Sequence, residues 1–374
     1  MHLNHLSLVN FKNCTESSFD FSNRVNCFLG NNGEGKTNLL DAIYYLSNCK
    51  SYFNSIDSQN VKFNEPFFVL QGKFELEEEK QEEIYCGVKI GQKKIIKKNK
   101  KQYKRLAEHV GLLPVVLITP YDSNLILDGS DIRRKFIDII ISQFDRDYLE
   151  SLIHYNKVMA QRNALLKQFA ESGNFQMDAL DIWDVQLVEK GKIIHQKRKD
   201  FLEEFIPVFN QFYQDISNKS EEVALHYSSL LNENEFAVLL ENNIVKDRKS
   251  TYTSVGVHKD DLEFTISNYP LKKFGSQGQQ KSFLIALKLA KFNYIKAKKG
   301  FSPILLLDDI FDKLDETRVN FLLGLISKGE LGQTFITDTS LTKVPSILKE
   351  LNVNFKSFKI TAGEVMNIDM EEVV

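Results

Sequence analysis

The chain predicts an α/β fold in which mixed sheets and helices form one discontinuous domain and a mainly helical lobe is inserted within it. Three observations carry this expectation. A glycine loop, Gly30-Asn31-Asn32-Gly33-Glu34-Gly35-Lys36-Thr37, stands between a strand-like run and a helix-like run. Hydrophobic spacing is strand-like up to Pro120, helical from about Ser130 to Ser217, and strand-like again after about Thr251. An apolar strand, Ile304-Leu305-Leu306-Leu307, ends in Asp308-Asp309. The expected domains are 1–119 plus 252–374, with 120–251 as the inserted lobe.

The elements follow in order. Leu3, Leu6, Leu8 and Val9 lead to Phe11. Phe19, Phe21 and then Val25-Asn26-Cys27-Phe28-Leu29 complete a set of strands ending in the glycine loop. Thr37 to Leu46 reads as a helix, with Leu39, Leu40, Ile43 and Leu46 on one side. Phe67 to Leu70, Ile84 to Ile90 and Lys93 to Lys98 read as strands, with turns at Gly91-Gln92 and Asn99-Lys100. Val115 to Ile118 is a short buried strand. Ile132, Phe136, Ile137, Ile139 and Ile140 mark one amphipathic helix, and Leu149 to Phe169 a second. After a loop at Ser172-Gly173-Asn174, Ile182 to Phe212 forms the longest helical pattern, expected to bend or end near Pro207. Two long helices about a short loop predict a helical hairpin. Leu262, Phe264 and Ile266 restore the strand period.

Of 374 residues, 43% are hydrophobic and 26% charged, as in a folded soluble protein. Cys14, Cys27, Cys49 and Cys86 lack CxxC spacing, which argues against zinc or a disulfide framework and for a reducing compartment. The N-terminus lacks a signal peptide's apolar run, and no stretch is long enough to span a membrane. The expected location is the cytoplasm. Net charge is −2, yet Lys93, Lys94, Lys97, Lys98, Lys100, Lys101, Lys104 and Arg105 crowd one short window.

The glycine loop matches G-x-x-x-x-G-K-[ST] throughout. Its backbone N–H groups would converge on phosphate oxygens at a helix N-terminus, where the dipole also favours an anion. Lys36 would neutralise phosphate charge, and the Thr37 hydroxyl would coordinate Mg²⁺. At the end of the apolar strand, Asp308 would hold Mg²⁺ through water and Asp309 would act as general base. Ser276 and Gly278 open a helix bearing Phe283, Leu284, Leu287, Ala290 and Ile295 on its apolar side. Such a Ser-x-Gly start is an anion site or simply a helix cap. Asp312-Lys313-Leu314-Asp315 follows the acidic pair, with Asp315 expected near a dimer interface.

Together these segments resemble the ABC-type P-loop ATPase heads of the SMC kind. More closely, the chain resembles the RecF recombination-mediator family across essentially its whole length. Leu8 to Asn13, Gly30 to Ile43, Tyr155 to Asn163, His258 to Leu262, Gly275 to Gln280 and Leu306 to Asp309 carry that resemblance. It implies an ATP-dependent homodimer with ATP and Mg²⁺ as cofactors. Gly30, Asn31, Asn32, Gly33, Glu34, Gly35, Lys36, Thr37 and Asn38, with Lys12 and Asn13, would hold the nucleotide in one subunit. Ser276, Gly278 and Gln279 would close over it from the other. The implied activity is weak ATP hydrolysis used as a switch. The implied role is binding duplex or gapped DNA and loading RecA with RecO and RecR in repair and replication restart. Lys12 and Lys259 stand where that family commonly has arginine. No histidine follows Thr334-Phe335-Ile336-Thr337, so Thr337 or Asp338 would take the γ-phosphate-sensing position. Gln71 is a poor candidate for a loop glutamine reaching Mg²⁺.

For DNA, Lys97, Lys98, Lys100 and Lys101 suggest a basic hairpin on phosphates, or equally a solvated turn. Arg133 and Arg134 either bind DNA or tie the lobe to the core. Lys192, Lys197, Arg198 and Lys199 read as a solvated helix face. His258 reads as structural, and Trp183 as packing. The alternative is another SMC-like ATP-gated clamp or a scaffold acting on a protein client.

Overall fold

All five residues of β3 (Val25–Leu29) are buried, as a strand covered on both faces requires. In the computed structural model, which describes residues 1–76, 80–217, 221–311 and 314–371, β3 lies inside a six-stranded sheet. The other strands of that sheet are β8 (Val115–Ile118), β12 (Ile304–Leu307), β13 (Thr334–Asp338), β14 (Phe355–Thr361) and β15 (Glu364–Glu371). The order is β15-β14-β3-β13-β12-β8, parallel except for β15. A second sheet is antiparallel. It comprises β1 (His2–Phe11), β2 (Cys14–Asp20), β4 (Phe67–Glu75), β5 (Gln81–Lys89), β6 (Ile95–Lys98) and β7 (Lys101–Gln102), in the order β2-β1-β4-β5-β6-β7.

Helix α1 (Lys36–Asn48) is packed between these sheets. Its Leu39, Leu40, Ile43 and Leu46 join Leu3, Leu6, Leu8 and Leu70 of one sheet with Phe28, Leu117, Leu306 and Phe335 of the other. Gln333 ties the layers by polar contacts: its amide accepts from Leu3 N–H at 2.7 Å and donates to Leu3 O at 2.9 Å. Both sheets and α1 belong to one compact unit, residues 1–122 and 287–374, with α9 (Glu316–Ser327) and α10 (Lys343–Glu350).

The second compact unit, residues 123–286, is described by itself. It holds α2 (Asn124–Leu127), α3 (Ser130–Ser142), α4 (Arg146–Ser172), α5 (Met177–Ser217), α6 (Phe236–Ser250) and α7 (Leu271–Phe274). It also holds a small sheet of β9 (Val223–Ser228), β10 (Asp261–Ile266) and β11 (Tyr269–Pro270). Helices α4 and α5 form the expected hairpin. Asp145 caps α4 by accepting from Tyr148 N–H at 2.8 Å, and Gly173 ends it in the left-handed conformation, φ 69°. Pro207 does not end α5, which runs on to Ser217. Residues 252–286, expected with the ATPase domain, group here instead. The reason is that β10 pairs along all of β9, and Phe283 packs on Phe209 and Phe264 at 4.8 and 4.9 Å. The cut falls within α8 (Gln277–Lys299).

Arg198, expected on a solvated face, is buried. Its guanidinium donates to Asp138 at 2.9 Å, Asp260 at 2.9 Å and Val257 O at 2.8 Å. Arg162 is buried likewise, donating to Asp184 at 2.5 Å and Asp247 at 2.6 Å. The segments Tyr155–Asn163 and His258–Leu262 thus meet as a polar core. There Asn163 Oδ1 accepts from Thr253 N–H at 2.8 Å, and Tyr155 OH bonds His258 Nδ1 at 2.8 Å. His258 Nε2 bonds Thr253 O at 3.0 Å, so Nε2 carries the proton and Nδ1 accepts from Tyr155. His258 is structural, as expected.

Two outcomes follow. Arg198→Leu leaves the buried Asp260 and the half-buried Asp138 without their cation, and should cost about 3–5 kcal/mol in denaturant unfolding. Burial pushes the His258 imidazole down to about 4 from 6.5. Because the unfolded chain binds that proton more readily, stability should fall as pH drops from about 6.5 to about 4 and level off below. The full contribution is roughly 3 kcal/mol. Comparing pH-dependent unfolding of wild type and His258→Gln isolates it.

Candidate nucleotide-binding site

Strand β3 delivers the chain into Gly30. A Cβ there would lie 2.4 Å from Ile360 O of β14, and φ is +155°, so only glycine fits. At Gly35, φ +105°, a Cβ would strike the Asn13 amide at 2.6 Å. That amide is a strut: Asn13 Nδ2 donates to Glu34 O at 3.2 Å, and Asn13 Oδ1 accepts from Asn38 Nδ2 at 2.7 Å. Glu34 is also held from outside, its carbonyl by Gly363 N–H at 2.9 Å and its carboxylate by Ala362 N–H. The loop is therefore clamped on both sides, while Asn31, Asn32 and Gly33 remain exposed. Lys36 is buried, and its ammonium donates to Gly30 O at 2.9 Å and Asn31 O at 3.0 Å.

The carboxylate strand meets this loop. Thr37 Oγ1, on α1, donates to Asp308 Oδ1 at 2.8 Å, and Thr337 Oγ1, on β13, donates to the same oxygen at 2.9 Å. Burial raises the Asp308 carboxyl to about 6, against the pull of both hydroxyls. Asp309 stands in the left-handed region, φ 44°, with its N–H donating to Thr337 Oγ1 at 2.8 Å. Among the described residues its Oδ1 is buried without a hydrogen-bond partner. Such an atom is costly unless something else binds it. Backbone N–H groups at the α1 N-terminus, a buried lysine and a Thr37–Asp308 pair suit phosphate oxygens and a hard divalent cation.

Other expected residues are placed differently. Lys12 pairs with the fully buried Asp41 at 2.7 Å, so its charge is committed to the middle of α1 rather than to the loop. Asp338 Oδ1 accepts from Ser340 N–H at 2.7 Å, and its carbonyl accepts from Gly30 N–H at 3.3 Å. Gln71 donates to Glu83 at 2.7 Å. In the second unit, Ser276 and Gln279 form a reciprocal helix cap. Ser276 N–H donates to Gln279 Oε1 at 2.6 Å and Gln279 N–H to Ser276 Oγ at 3.2 Å. Ser276 stays exposed and Gly278 half-buried at the start of α8. Asp315 caps α9, whereas Asp312 and Lys313 lie outside the described residues.

Arg133 and Arg134 are committed within the second unit. Arg133 holds Asp261 with two hydrogen bonds, 2.7 and 2.9 Å, and Arg134 donates to Asp260 O at 2.6 Å. They fasten α3 to the start of β10 within that unit. Lys98 pairs with the buried Glu82 at 3.0 Å, and the Lys97 ammonium lies 5.2 Å from the Tyr85 ring centre. Lys100 and Lys101 stay exposed at the β6–β7 turn, where Asn99 and Lys100 have φ 48° and 68°. The Ile360, Ala362 and Gly363 supports of the loop had no signal in the sequence, because they act through backbone atoms.

A parallel-sheet core, a clamped phosphate loop, a buried acidic strand end and a capped Ser-x-Gly helix define an ABC-type P-loop ATPase head with an added helical unit. The family model described as RecF/RecN/SMC N terminal domain matches residues 2–361. The chain is 52% identical over 360 residues to the DNA replication and repair protein RecF of Flavobacterium johnsoniae, covering 96% of this chain and 100% of that one. It is 41% identical to RecF of Porphyromonas gingivalis, covering 98% and 100%. The chain belongs to the RecF family. A solved structure of the recombination mediator RecF with ATP in the RecFOR pathway superposes with TM-score 0.90 at 32% identity, covering 98% of each chain. An Smc head domain from Pyrococcus furiosus, at 16% identity and TM-score 0.56, shares the fold.

Gly30→Ala should strain the loop by about 1–3 kcal/mol, weakening ATP binding roughly ten- to hundredfold. Isothermal titration against the wild type measures this.

Proposed function

We propose that this protein is an ATP-gated DNA-binding homodimer that hydrolyses ATP slowly and acts as a recombination mediator, helping RecO and RecR to load RecA. The observation that carries this is the Thr37–Asp308–Thr337 cluster beside the partnerless Asp309 oxygen, at the foot of a clamped phosphate loop. The RecF names of its relatives and the ATP complex of a structural neighbour support the rest.

The residues fit Mg²⁺-ATP. Thr37 and Asp308 would hold the cation, which when bound would neutralise charge on the β- and γ-phosphate oxygens. Lys36, once drawn off the loop carbonyls, would neutralise the same phosphates. Asp309 would accept a proton from the attacking water, and its partnerless Oδ1 suits that task. Ser276, Gly278 and Gln279 would cover the nucleotide from the partner subunit. Closure would align basic surfaces on DNA, with Lys100 and Lys101, and Lys97 beside them, contacting phosphates and reading no sequence. RecO and RecR would then meet the closed dimer on the DNA.

Fluorescence anisotropy of a labelled gapped duplex, with and without ATP at two salt concentrations, tests the reading. ATP should tighten wild-type binding, and Lys36→Met should lose that gain. Lys100→Glu with Lys101→Glu should weaken binding at all sequences and reduce the salt slope by about 2. A wild type that ignores DNA in both states would sink the DNA role and point to a protein client.

A further inference from the structure

Thr337 lies beside Asp308 because β12 and β13 pair in parallel register, Leu307 opposite Ile336. Its side chain is fully buried. A threonine hydroxyl has one proton to give and two lone pairs with which to accept. Here the proton goes to Asp308 Oδ1 at 2.9 Å, and one lone pair takes the Asp309 N–H at 2.8 Å. One hydroxyl therefore fixes the side chain of the first acid and the backbone of the second. The second acid needs that support, since φ 44° is an uncommon conformation for a residue with a Cβ. With its only proton spent on Asp308, Thr337 has no donor left for a phosphate oxygen. That is the reverse of the γ-phosphate-sensing role expected for this position.

We propose that Thr337 is a positioning residue that braces the Asp308-Asp309 turn, holding Asp309 in its left-handed conformation so that its Oδ1 stays without a protein partner. This rests on the nucleotide-site reading above and assigns Thr337 an action through Asp309 rather than through ATP. The brace is needed for turnover and makes no direct contribution to nucleotide affinity.

Thr337→Val keeps the shape and removes both hydrogen bonds, whereas Thr337→Ser keeps the hydroxyl. Thr337→Val should lower kcat at least about tenfold, within the range for losing an aligned catalytic base. ATP and ADP affinities by isothermal titration without added Mg²⁺ should each stay within about twofold, since no phosphate contact is lost and the Asp308 cation position is not probed. Thr337→Ser should restore turnover. In an Asp309→Asn background the valine change should cost nothing further, because both act through one group. Melting curves check folding, and Thr337→Ala repeats the test if the valine variant does not fold. A selective loss of ATP over ADP affinity would make Thr337 a phosphate sensor and overturn the proposal. So would unchanged kcat in a folded Thr337→Val, or additive costs in the double variant. Failure of the underlying site reading looks different: wild type would not bind ATP, or Lys36→Met would bind it as well as wild type.

Discussion

A single carboxylate oxygen, Asp308 Oδ1, holds the site together. It accepts one hydroxyl from the start of α1 and one from β13, while its own backbone belongs to the end of β12. Three elements that are remote in sequence are thereby fixed at one buried point. The cost of burying that carboxylate is visible in its raised pKa, and the two hydroxyls offset part of it. Everything nearby is arranged around the constraint. The fully buried parallel strands leave the acid at a strand end, and the left-handed turn at Asp309 lets the chain leave the sheet there.

Much of this was legible because the chemistry dictates a local pattern. A phosphate loop needs glycines, a lysine and a hydroxyl at fixed spacing, and α1 needs an apolar stripe. Both stand openly in the sequence between Val25 and Leu46. What was hidden depends on atoms without side-chain identity. Nothing in Ile360 or Ala362 announces that its backbone shapes the loop some 330 positions earlier. Charge misled in a related way. Arg198 follows Lys197 and precedes Lys199, so its helix reads as basic and wet. Only the tertiary placement of Asp138 and Asp260 turns one of those residues inward. Arg133 and Arg134 are likewise taken up by residues well over a hundred positions away. The strand period after Thr251 was correctly visible, but the partner strand was not. Pairing β10 with β9 put residues 252–286 in the second unit.

The helical unit shows what its charged motifs are for. Tyr155, Arg162, Asn163, His258, Asp260 and Asp261 occur in segments whose sequence resembles the family, and such residues invite a catalytic interpretation. Here Tyr155 and His258 bond each other, while Arg162 holds Asp184 and Asp247, Asn163 holds Thr253, Asp260 takes Arg198 and Asp261 takes Arg133. Two buried guanidiniums each hold two carboxylates, Arg162 with Asp184 and Asp247 and Arg198 with Asp138 and Asp260, so loss of either guanidinium leaves a buried carboxylate without its cation.

The pairing of β3 with β13 and β14 also has a bearing on how the protein is made. During synthesis the glycine loop leaves the ribosome early, yet the strands on both sides of β3 come from the far end of the chain. The helical unit, residues 123–286, is continuous and can assemble while those strands are still being translated. The sheet around the glycine loop can be completed only once those later strands have been made. A truncated chain would carry the whole phosphate-loop motif and still lack the strands that flank β3 and the backbone of Ile360, Ala362 and Gly363 that shapes the loop.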